Sequence, residues 1–241
     1  RLCRDWSSDV CSSDLIVDDN FIGNIKQVKY NLLPAMKEWM QLRKYPFKFT
    51  IESSINLADD DELMTLLVES GFGGTFIGIE TPEEESLHYC NKTQNRNRDL
   101  LKSVRKIQQA GIQVAGGFIV GFDSDTSTVF QRQIDFIQQS GIVSAMVGLL
   151  NAPKHTKLYK QLEAENRLTT AATGNNTDSS MNFIPKMDHS ELLNGYQSII
   201  KNIYSTKPYY KRVRQLLLNY NKLSRTQNKI SFSLLDRKSV V

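Results

Sequence analysis

The stretch TFIGIETP, residues 75–82, ends a run of apolar residues with the carboxylate of Glu80. A short apolar run bounded by turn residues is typical of a parallel strand that is covered on both faces. The stretch therefore predicts a buried strand over residues 75–80, with Glu80 at its carboxyl end.

Similar apolar runs occur on both sides of this stretch, and residues with helical periodicity lie between them. The strands are predicted at residues 15–17, 47–52, 75–80, 113–122 and 144–151. The helices are predicted at residues 24–43, 59–71, 98–110, 126–140 and 156–166. This alternation is typical of βα units. No glycine-rich phosphate turn follows the first strand, so the pattern favours an α/β fold, an incomplete (β/α) TIM-like partial barrel of about five remaining βα units, over a doubly wound sheet.

The pattern changes after the last of these helices. A small, polar stretch predicts an exposed loop, and helices are predicted beyond it at residues 190–204 and 209–223, with Pro208 at the break between them. We therefore divide the chain into a partial barrel at residues 16–168 and a helical C-terminal domain at residues 169–235.

The helical region is basic. No acidic residue occurs from Leu192 to Leu235, where lysines and arginines interleave with tyrosines. This pattern is compatible with a phosphate-binding surface, with a solvated basic face, or with a docking surface for other parts of the protein.

The two ends of the chain are related to each other. A coding string for residues 236–239 has a reverse complement that encodes residues 11–14 in a shifted frame. Both ends resemble translated ligation adapters from short-read DNA sequencing. We therefore set residues 1–15 and 236–241 aside as adapter-derived artefacts, with genuine flexible tails as the alternative.

Composition excludes few functions. The chain has 241 residues, 40% hydrophobic content and a net charge of +4, which give no reason to expect a nucleic-acid partner. We find no apolar run that could cross a bilayer and no signal-peptide pattern. The three scattered cysteines do not resemble a disulfide framework. The sequence therefore predicts a cytoplasmic protein with reduced thiols and no membrane span.

Polar residues and glycines mark three predicted strand ends, which is where barrel enzymes place their working groups. Asp18, Asp19 and Asn20 follow the first strand, and Glu80 ends the third. The fourth strand contains GGFIVGFD at residues 116–123. Glycines inside an apolar strand indicate the close approach of a ligand or of neighbouring backbone.

These strand ends, in this order and with these separations, resemble the radical S-adenosylmethionine (radical SAM) superfamily. The resemblance rests on FIGIETP at residues 76–82, NK at 91–92 with QN at 94–95, GGFIVGFD at 116–123, and the stretches NFIPKM and GYQSIIKNIY. The same motifs are similar to those of cobalamin-binding-domain radical SAM proteins with the uncharacterised helical C-terminal domain DUF4070. The resemblance covers nearly all of residues 15–235.

The resemblance implies cofactors that the sequence as given cannot hold alone. The family binds a 4Fe-4S cluster through three cysteines spaced C-x3-C-x2-C after the first barrel strand, and SAM chelates the fourth iron. By this resemblance Ile16 begins the second strand, and the cysteine loop and any cobalamin domain lie upstream of a truncation. Cys3 and Cys11 have the wrong spacing, and Cys90 is predicted to be a partly buried apolar residue, so we assign no metal ligand here.

The resemblance also implies polar contacts to SAM. Asp18, Asp19 and Asn20 would accept hydrogen bonds from the amino group of SAM, and Glu80 would accept them from the ribose hydroxyls. The alternatives are helix capping for the first three residues and an ion pair with a neighbouring lysine or arginine for Glu80.

The glycine-containing strand would lie beside the adenine of SAM by the same resemblance. Gly116, Gly117, Ile119 and Gly121 would leave room for a flat ring, and packing is the alternative for any single glycine. The glycines at residues 71–74 precede a strand, so we interpret them as a helix stop and a turn.

One loop departs from the family pattern. Residues 152–156, APKHT, stand where family members have a Pro-Gly-Thr turn. His155 is a candidate catalytic group, but no Asp or Glu lies close in sequence to orient its ring, so a solvent-facing position is the alternative.

The resemblance therefore implies an enzyme, although the chain as given is expected to be inactive alone. The intact protein would cleave SAM reductively to methionine and a 5′-deoxyadenosyl radical, with an external electron donor. With cobalamin, it would methylate a carbon of a small-molecule or lipid-like substrate. A non-redox α/β barrel or a binding module is the alternative. A Schiff-base barrel would need a lysine at a strand's carboxyl end, and we find none in the predicted strands.

Overall fold

The structure is a computed structural model that describes residues 13–90, 92–169 and 180–220. Its strands are β1 (Ser13–Ile16), β2 (Lys48–Glu52), β3 (Phe72–Glu80), β4 (Gln113–Val120) and β5 (Ala145–Leu149). They form one sheet in the order β1-β2-β3-β4-β5, and the pairs β1–β2, β2–β3 and β4–β5 are parallel. Sequential order with helical connections is the topology of part of a (β/α) barrel, which confirms the predicted fold class.

Helices connect the strands and follow the last one. They are α1 (Ile25–Gln27), α2 (Leu33–Leu42), α3 (Asp61–Glu69), α4 (Glu84–Tyr89), α5 (Leu100–Gln109), α6 (Val129–Ser140), α7 (Lys157–Ala164), α8 (His189–Ile203) and α9 (Thr206–Asn219), with a π-helical segment at Val28–Leu32 and a 3-10 turn at Ile55–Asp59. The sequence missed α4 because six residues are too few to show a helical period.

Pro34 does not end the first long helix. The π-helical segment lies directly before α2, and the Leu33 N–H donates to the Val28 carbonyl, which is an i to i+5 bond. A proline inside an α-helix clashes with the carbonyl four residues earlier. A π turn at this place widens the helix before the prolyl ring, so the helix absorbs the residue as a local irregularity.

Two predicted turns are wrong. Gly73 and Gly74 lie inside β3, where the register with β2 shifts between Phe49 and Thr50, and glycines are common at such bulges. Pro208 lies in the first turn of α9 rather than between two helices. Its missing N–H costs nothing there, because the first helical N–H groups have no partner within the helix.

β1 is more exposed than the predicted buried strand. Leu15 is 56% exposed, and Val17, directly after β1, is 87% exposed. β1 is the edge of the sheet order, so one of its sides has no paired strand within the described residues. Ser13 and Asp14, which the sequence analysis set aside, pair with β2 as part of this strand.

The chain divides into two compact units, which we describe separately. Within the described residues, unit 1 contains residues 13–77, 102–114 and 216–220, and unit 2 contains residues 78–90, 92–101, 115–169 and 180–215. The core of unit 1 includes Leu33, Met40, Leu63, Leu67, Phe72, Val104 and Ile107. The core of unit 2 includes Phe118, Val120, Ile137, Val147, Leu192, Ile199 and Ile203. The domain boundary at residues 168 and 169 stays a prediction.

Some predictions fall outside the described residues. These concern Cys3, Cys11, Asn91, most of the loop after residue 169, and residues 221–241. Within the described residues, no helix combines the length and the apolar character that a membrane crossing requires.

Candidate functional site

The turn after β1, in unit 1, uses two of its three predicted ligand-binding residues for its own structure. Asp18 Oδ1 accepts a hydrogen bond from the Asn20 N–H at 3.2 Å, and Asn20 Oδ1 accepts one from the Ser54 N–H at 3.3 Å. Asp19 is exposed and has no partner within the described residues. None of the three caps α1, because its N-cap is Asn24. Asp19 is therefore the carboxylate of this turn that is available to a ligand.

A shallow pocket of about 460 Å³ lies beside this turn, within unit 1. Its polar lining consists of Asp18, Asn20, Asn24, Gln27 and Asn31. Phe21, Val28, Leu32 and Ala35 complete the lining, so the amide donors and acceptors stand beside an apolar surface.

Glu80, in unit 2, ends β3 in a strained backbone conformation. Its φ is +65°, and the Thr81 N–H donates to the Ile79 carbonyl at 2.9 Å across it. An i to i+2 bond with positive φ at the central residue is the rare and strained form of γ-turn. Strain of this kind persists only where surrounding contacts impose it, and it concentrates at functional sites.

Buried Asn95 holds this turn in place. Its Nδ2 donates to the Gly78 carbonyl at 3.0 Å and to the Ile79 carbonyl at 2.9 Å. In the sequence, Asn95 is part of the QN motif at residues 94–95, and no role is predicted for it. No local pattern could have shown that a side chain sixteen residues away in sequence closes the end of β3.

The carboxylate of Glu80 forms an ion pair with Lys92, with 2.7 Å between Oε1 and Nζ. The pair lies over Gly78, where an added Cβ would stand 2.6 Å from Glu80 Oε1 and 3.0 Å from Lys92 Nζ. The glycine of FIGIE therefore makes room for the carboxylate that follows it. The ion-pair alternative for Glu80 is present in the structure, and the ribose contact stays a prediction.

The glycines of β4 do not share one face of the strand. Gly116 is buried on the side of Phe118, and an added Cβ would stand 2.8 Å from the Phe118 ring and 3.2 Å from Ile142 Cδ1. Packing explains this glycine. Gly117 and Ile119 alternate with these residues, are half-buried, and lie on the opposite face of the strand. Among the predicted adenine contacts in β4, Gly117 and Ile119 are therefore the two that could contact the same ligand.

Gly121 is required by the turn after β4. Its φ is +103°, and its N–H donates to Asp125 Oδ2 at 2.8 Å. The same carboxylate accepts hydrogen bonds from the Phe122 N–H and the Ser86 hydroxyl. Burial raises the pKa of Asp125 despite these bonds. The predicted adenine contact of Gly121 stays untested, since the turn explains the glycine on its own.

Asp123 is the charged anchor of the same turn, and the sequence did not identify its partner. Arg167 donates to both Asp123 oxygens, at 2.6 and 2.7 Å, and its Nε donates to the Ile184 carbonyl. Both side chains are largely buried. The bidentate guanidinium holds the pKa of Asp123 below its usual range.

The two remaining candidates lie apart from these turns. Cys90 is half-buried, donates to the Leu87 carbonyl, and has a pKa raised by burial, so it packs as a small apolar residue. His155 is exposed, with φ +71°, directly before Thr156. It therefore takes the left-handed position that the glycine of a Pro-Gly-Thr turn favours. Within the described ranges, no three His, Cys, Asp or Glu side chains come together as a metal site.

Comparison with known proteins agrees with this topology. The family described as a domain of unknown function (DUF4070) matches residues 156–239. An uncharacterized methyltransferase of Synechocystis is 40% identical over 223 residues, which are 92% of this chain and 41% of that protein. The hopanoid C-2 methylase of Rhodopseudomonas palustris is 32% identical over 196 residues, which are 81% of this chain and 36% of that protein. The chain thus spans about two fifths of the length of these relatives.

A solved structure shows the same fold. It is the radical SAM methyltransferase TsrM from Kitasatospora setae, with cobalamin and a [4Fe-4S] cluster bound, with a TM-score of 0.58 at 14% identity. The match covers 92% of this chain and 45% of TsrM. By its sequence the chain is related to these methyltransferases, and by its fold it is similar to a radical SAM methyltransferase. Residues 156–239 match the DUF4070 family.

Proposed function

We propose that this chain is part of a radical SAM methyltransferase that acts in the cytoplasm. The intact protein would use a 4Fe-4S cluster, SAM, cobalamin and an external electron donor to methylate a carbon of a small-molecule or lipid-like substrate. The family and its methyltransferase relatives support the reaction class. The observation on this chain that carries the proposal is the strained Glu80 at the carboxyl end of β3, held by Asn95 and Lys92.

The described residues fit SAM and do not fit the cluster. A 4Fe-4S cluster needs thiolates, and the one cysteine among the described residues has a raised pKa. In unit 2, the carboxylate of Glu80 would accept hydrogen bonds from a ribose, and Gly117 with Ile119 would lie against a flat ring. In unit 1, Asp19 would accept hydrogen bonds from an ammonium group. When bound, SAM would supply the radical precursor and the methyl group, and within unit 2 Glu80, Gly117 and Ile119 would orient its ribose and ring.

Calorimetric titration of the chain with SAM tests this assignment first. The expected dissociation constant is about 1 mM or weaker, equivalent to about −4 kcal/mol, because chelation by the cluster is missing. Micromolar binding by the chain that Glu80→Ala abolishes would show that the described strands form a complete site, and that the cluster is not the main anchor of SAM.

The full-length holoenzyme gives the second test. Glu80→Gln is expected to raise the KM for SAM about tenfold in 5′-deoxyadenosine formation, because a neutral amide accepts weaker hydrogen bonds than a carboxylate. The matched control is Glu62→Gln, which removes an exposed carboxylate that pairs with buried Lys29. An unchanged KM for SAM in Glu80→Gln would mean that Glu80 pairs with Lys92 and does not contact SAM.

A further inference from the structure

The outward face of α9 carries an unusual mixture of side chains. After Thr206, its exposed residues are three cations, one tyrosine and two leucines. They are Lys207, Tyr210, Lys211, Arg214, Leu217 and Leu218. At 3.6 residues per turn these six fall within an arc of about 120°, so they form one continuous surface along a single helix, here called the α9 stripe.

The apolar members of the α9 stripe are each more than half exposed to solvent. Tyr210 is 67% exposed, Leu217 57% and Leu218 69%. A helix that only covers a core places its apolar residues inward and its polar residues outward. The sequence of α9 does not follow that rule on its exposed side.

Arg212 fixes which side of α9 faces outward. Its side chain is fully buried, and its guanidinium donates to the carbonyls of Ile142 at 3.0 Å, Val143 at 3.2 Å, and Ile203. A rotation of the helix that buried the exposed leucines would break these bonds and leave a buried charge unpaired. The α9 stripe therefore faces outward in the folded chain.

The α9 stripe also has an uncompensated positive charge. The sequence has no acidic residue from Leu192 through the end of α9. Lys207, Lys211 and Arg214 form no ion pair within the part of the chain that the structure describes. Such a surface is complementary to a dense array of negative charges.

We propose that the α9 stripe binds the surface of an anionic lipid bilayer. Lysines and arginines attract anionic headgroups, while leucine and tyrosine side chains enter the boundary between headgroups and acyl chains. The long cationic side chains can reach the headgroups while their stems stay beside the leucines. A nucleic acid would use the cations and Tyr210 but would leave the leucine pair in water, so the mixture favours a membrane. The inference is independent of the methyltransferase reaction and assigns a role to the helical C-terminal region.

Vesicle co-sedimentation of the full chain tests the proposal. The vesicles are phosphatidylcholine alone, or phosphatidylcholine and phosphatidylglycerol in equal parts. We expect binding to the anionic vesicles only. The triple variant Lys207→Gln, Lys211→Gln, Arg214→Gln is expected to weaken binding by about two orders of magnitude, since each cation near an anionic surface contributes roughly a factor of five. The double variant Leu217→Ser, Leu218→Ser is expected to weaken it at least about tenfold.

Matched controls change the same charges and areas elsewhere. Lys26→Gln with Lys157→Gln and Lys160→Gln removes three exposed cations, and Leu42→Ser with Ile184→Ser removes two exposed apolar side chains. Both controls are expected to bind like the wild type, and circular dichroism checks that every variant folds. If the control variants lost as much vesicle binding as the α9 variants, the proposal would be wrong. It would also be wrong if the leucine variant bound anionic vesicles as well as the wild type. Binding to single-stranded RNA but not to vesicles would identify a nucleic-acid surface instead.

Discussion

The end of β3 and the turn after β1 both present carboxylates that the sequence predicts to contact SAM, yet they are built differently. Glu80 lies in a strained turn that buried Asn95 and an ion pair with Lys92 hold from two sides. In the turn after β1, exposed Asp18 accepts a hydrogen bond from the Asn20 N–H, and Asn20 Oδ1 accepts hydrogen bonds from Ser54, 34 residues away. The difference shows that strand-end carboxylates can be held by a buried amide and an ion pair or left exposed on a turn that is anchored through a neighbouring residue.

The largest loss of stability is expected when the buried ion pair between Asp123 and Arg167 is broken. Arg167→Leu should destabilise the chain by about 3 kcal/mol, because it leaves the buried carboxylate of Asp123 with only the longer, 3.4 Å ion pair to exposed Lys186. Urea denaturation measures the loss. The control Lys106→Leu breaks an exposed pair with Asp61 and should cost less than about 1 kcal/mol. If Arg167→Leu and Lys106→Leu lowered the free energy of unfolding equally, the buried ion pair would contribute no more than the exposed one.

The pH dependence of two neighbouring carboxylates sharpens the comparison further. The pKa of Asp123 is lowered by Arg167, so its stabilisation is present above the unfolded value of about 3.9 and is lost as pH falls through the folded value. The stability difference between wild type and Asp123→Asn should therefore shrink in acid. The pKa of Asp125 is raised by burial, so the difference between wild type and Asp125→Asn should shrink as pH rises. If the stability differences for Asp123→Asn and Asp125→Asn changed in the same direction with pH, these assignments would be wrong.

Asn95→Ala tests the support of the Glu80 turn itself. Removing its amide leaves the carbonyls of Gly78 and Ile79 without this donor, which should cost about 2–3 kcal/mol in thermal or urea unfolding. Asp18→Ala removes one exposed hydrogen bond of the β1 turn and should change stability by less than about 0.5 kcal/mol. A small loss for Asn95→Ala would mean that the turn does not need its buried support.

The smallest expected effect measures the strain at Glu80. Because its φ is positive, Glu80→Gly should be more stable than Glu80→Ala by about 1 kcal/mol. At Glu52, which ends β2 without a positive φ, the order should reverse, with glycine about 0.5–1 kcal/mol less stable than alanine. If alanine were more stable than glycine at position 80, as is expected at position 52, Glu80 would not be strained.

Much of the fold and part of the site can be predicted from the sequence. The apolar runs and helical periods locate every strand and the helices longer than α4, because these patterns are local properties of the chain. The apolar run that ends at Glu80 placed this residue at a strand end, where the structure has it. The prediction of a turn at Gly73 and Gly74 was wrong, because these glycines lie at a bulge. A bulge depends on the register between β3 and β2, which the sequence of one segment does not encode.

The sequence alone determined the order of strands and helices and the polar residues at strand ends, and its motifs resemble those of radical SAM proteins. Tertiary structure decided what each of those residues contacts: Glu80 with Lys92, Asp123 with Arg167, and Asn95 with the end of β3. It also decided that Arg212 turns the cations and leucines of α9 outward. The physical reason is that secondary structure follows from periodicity over a few residues. Ion pairs, buried hydrogen bonds and exposed faces instead depend on which distant segments fold against each other.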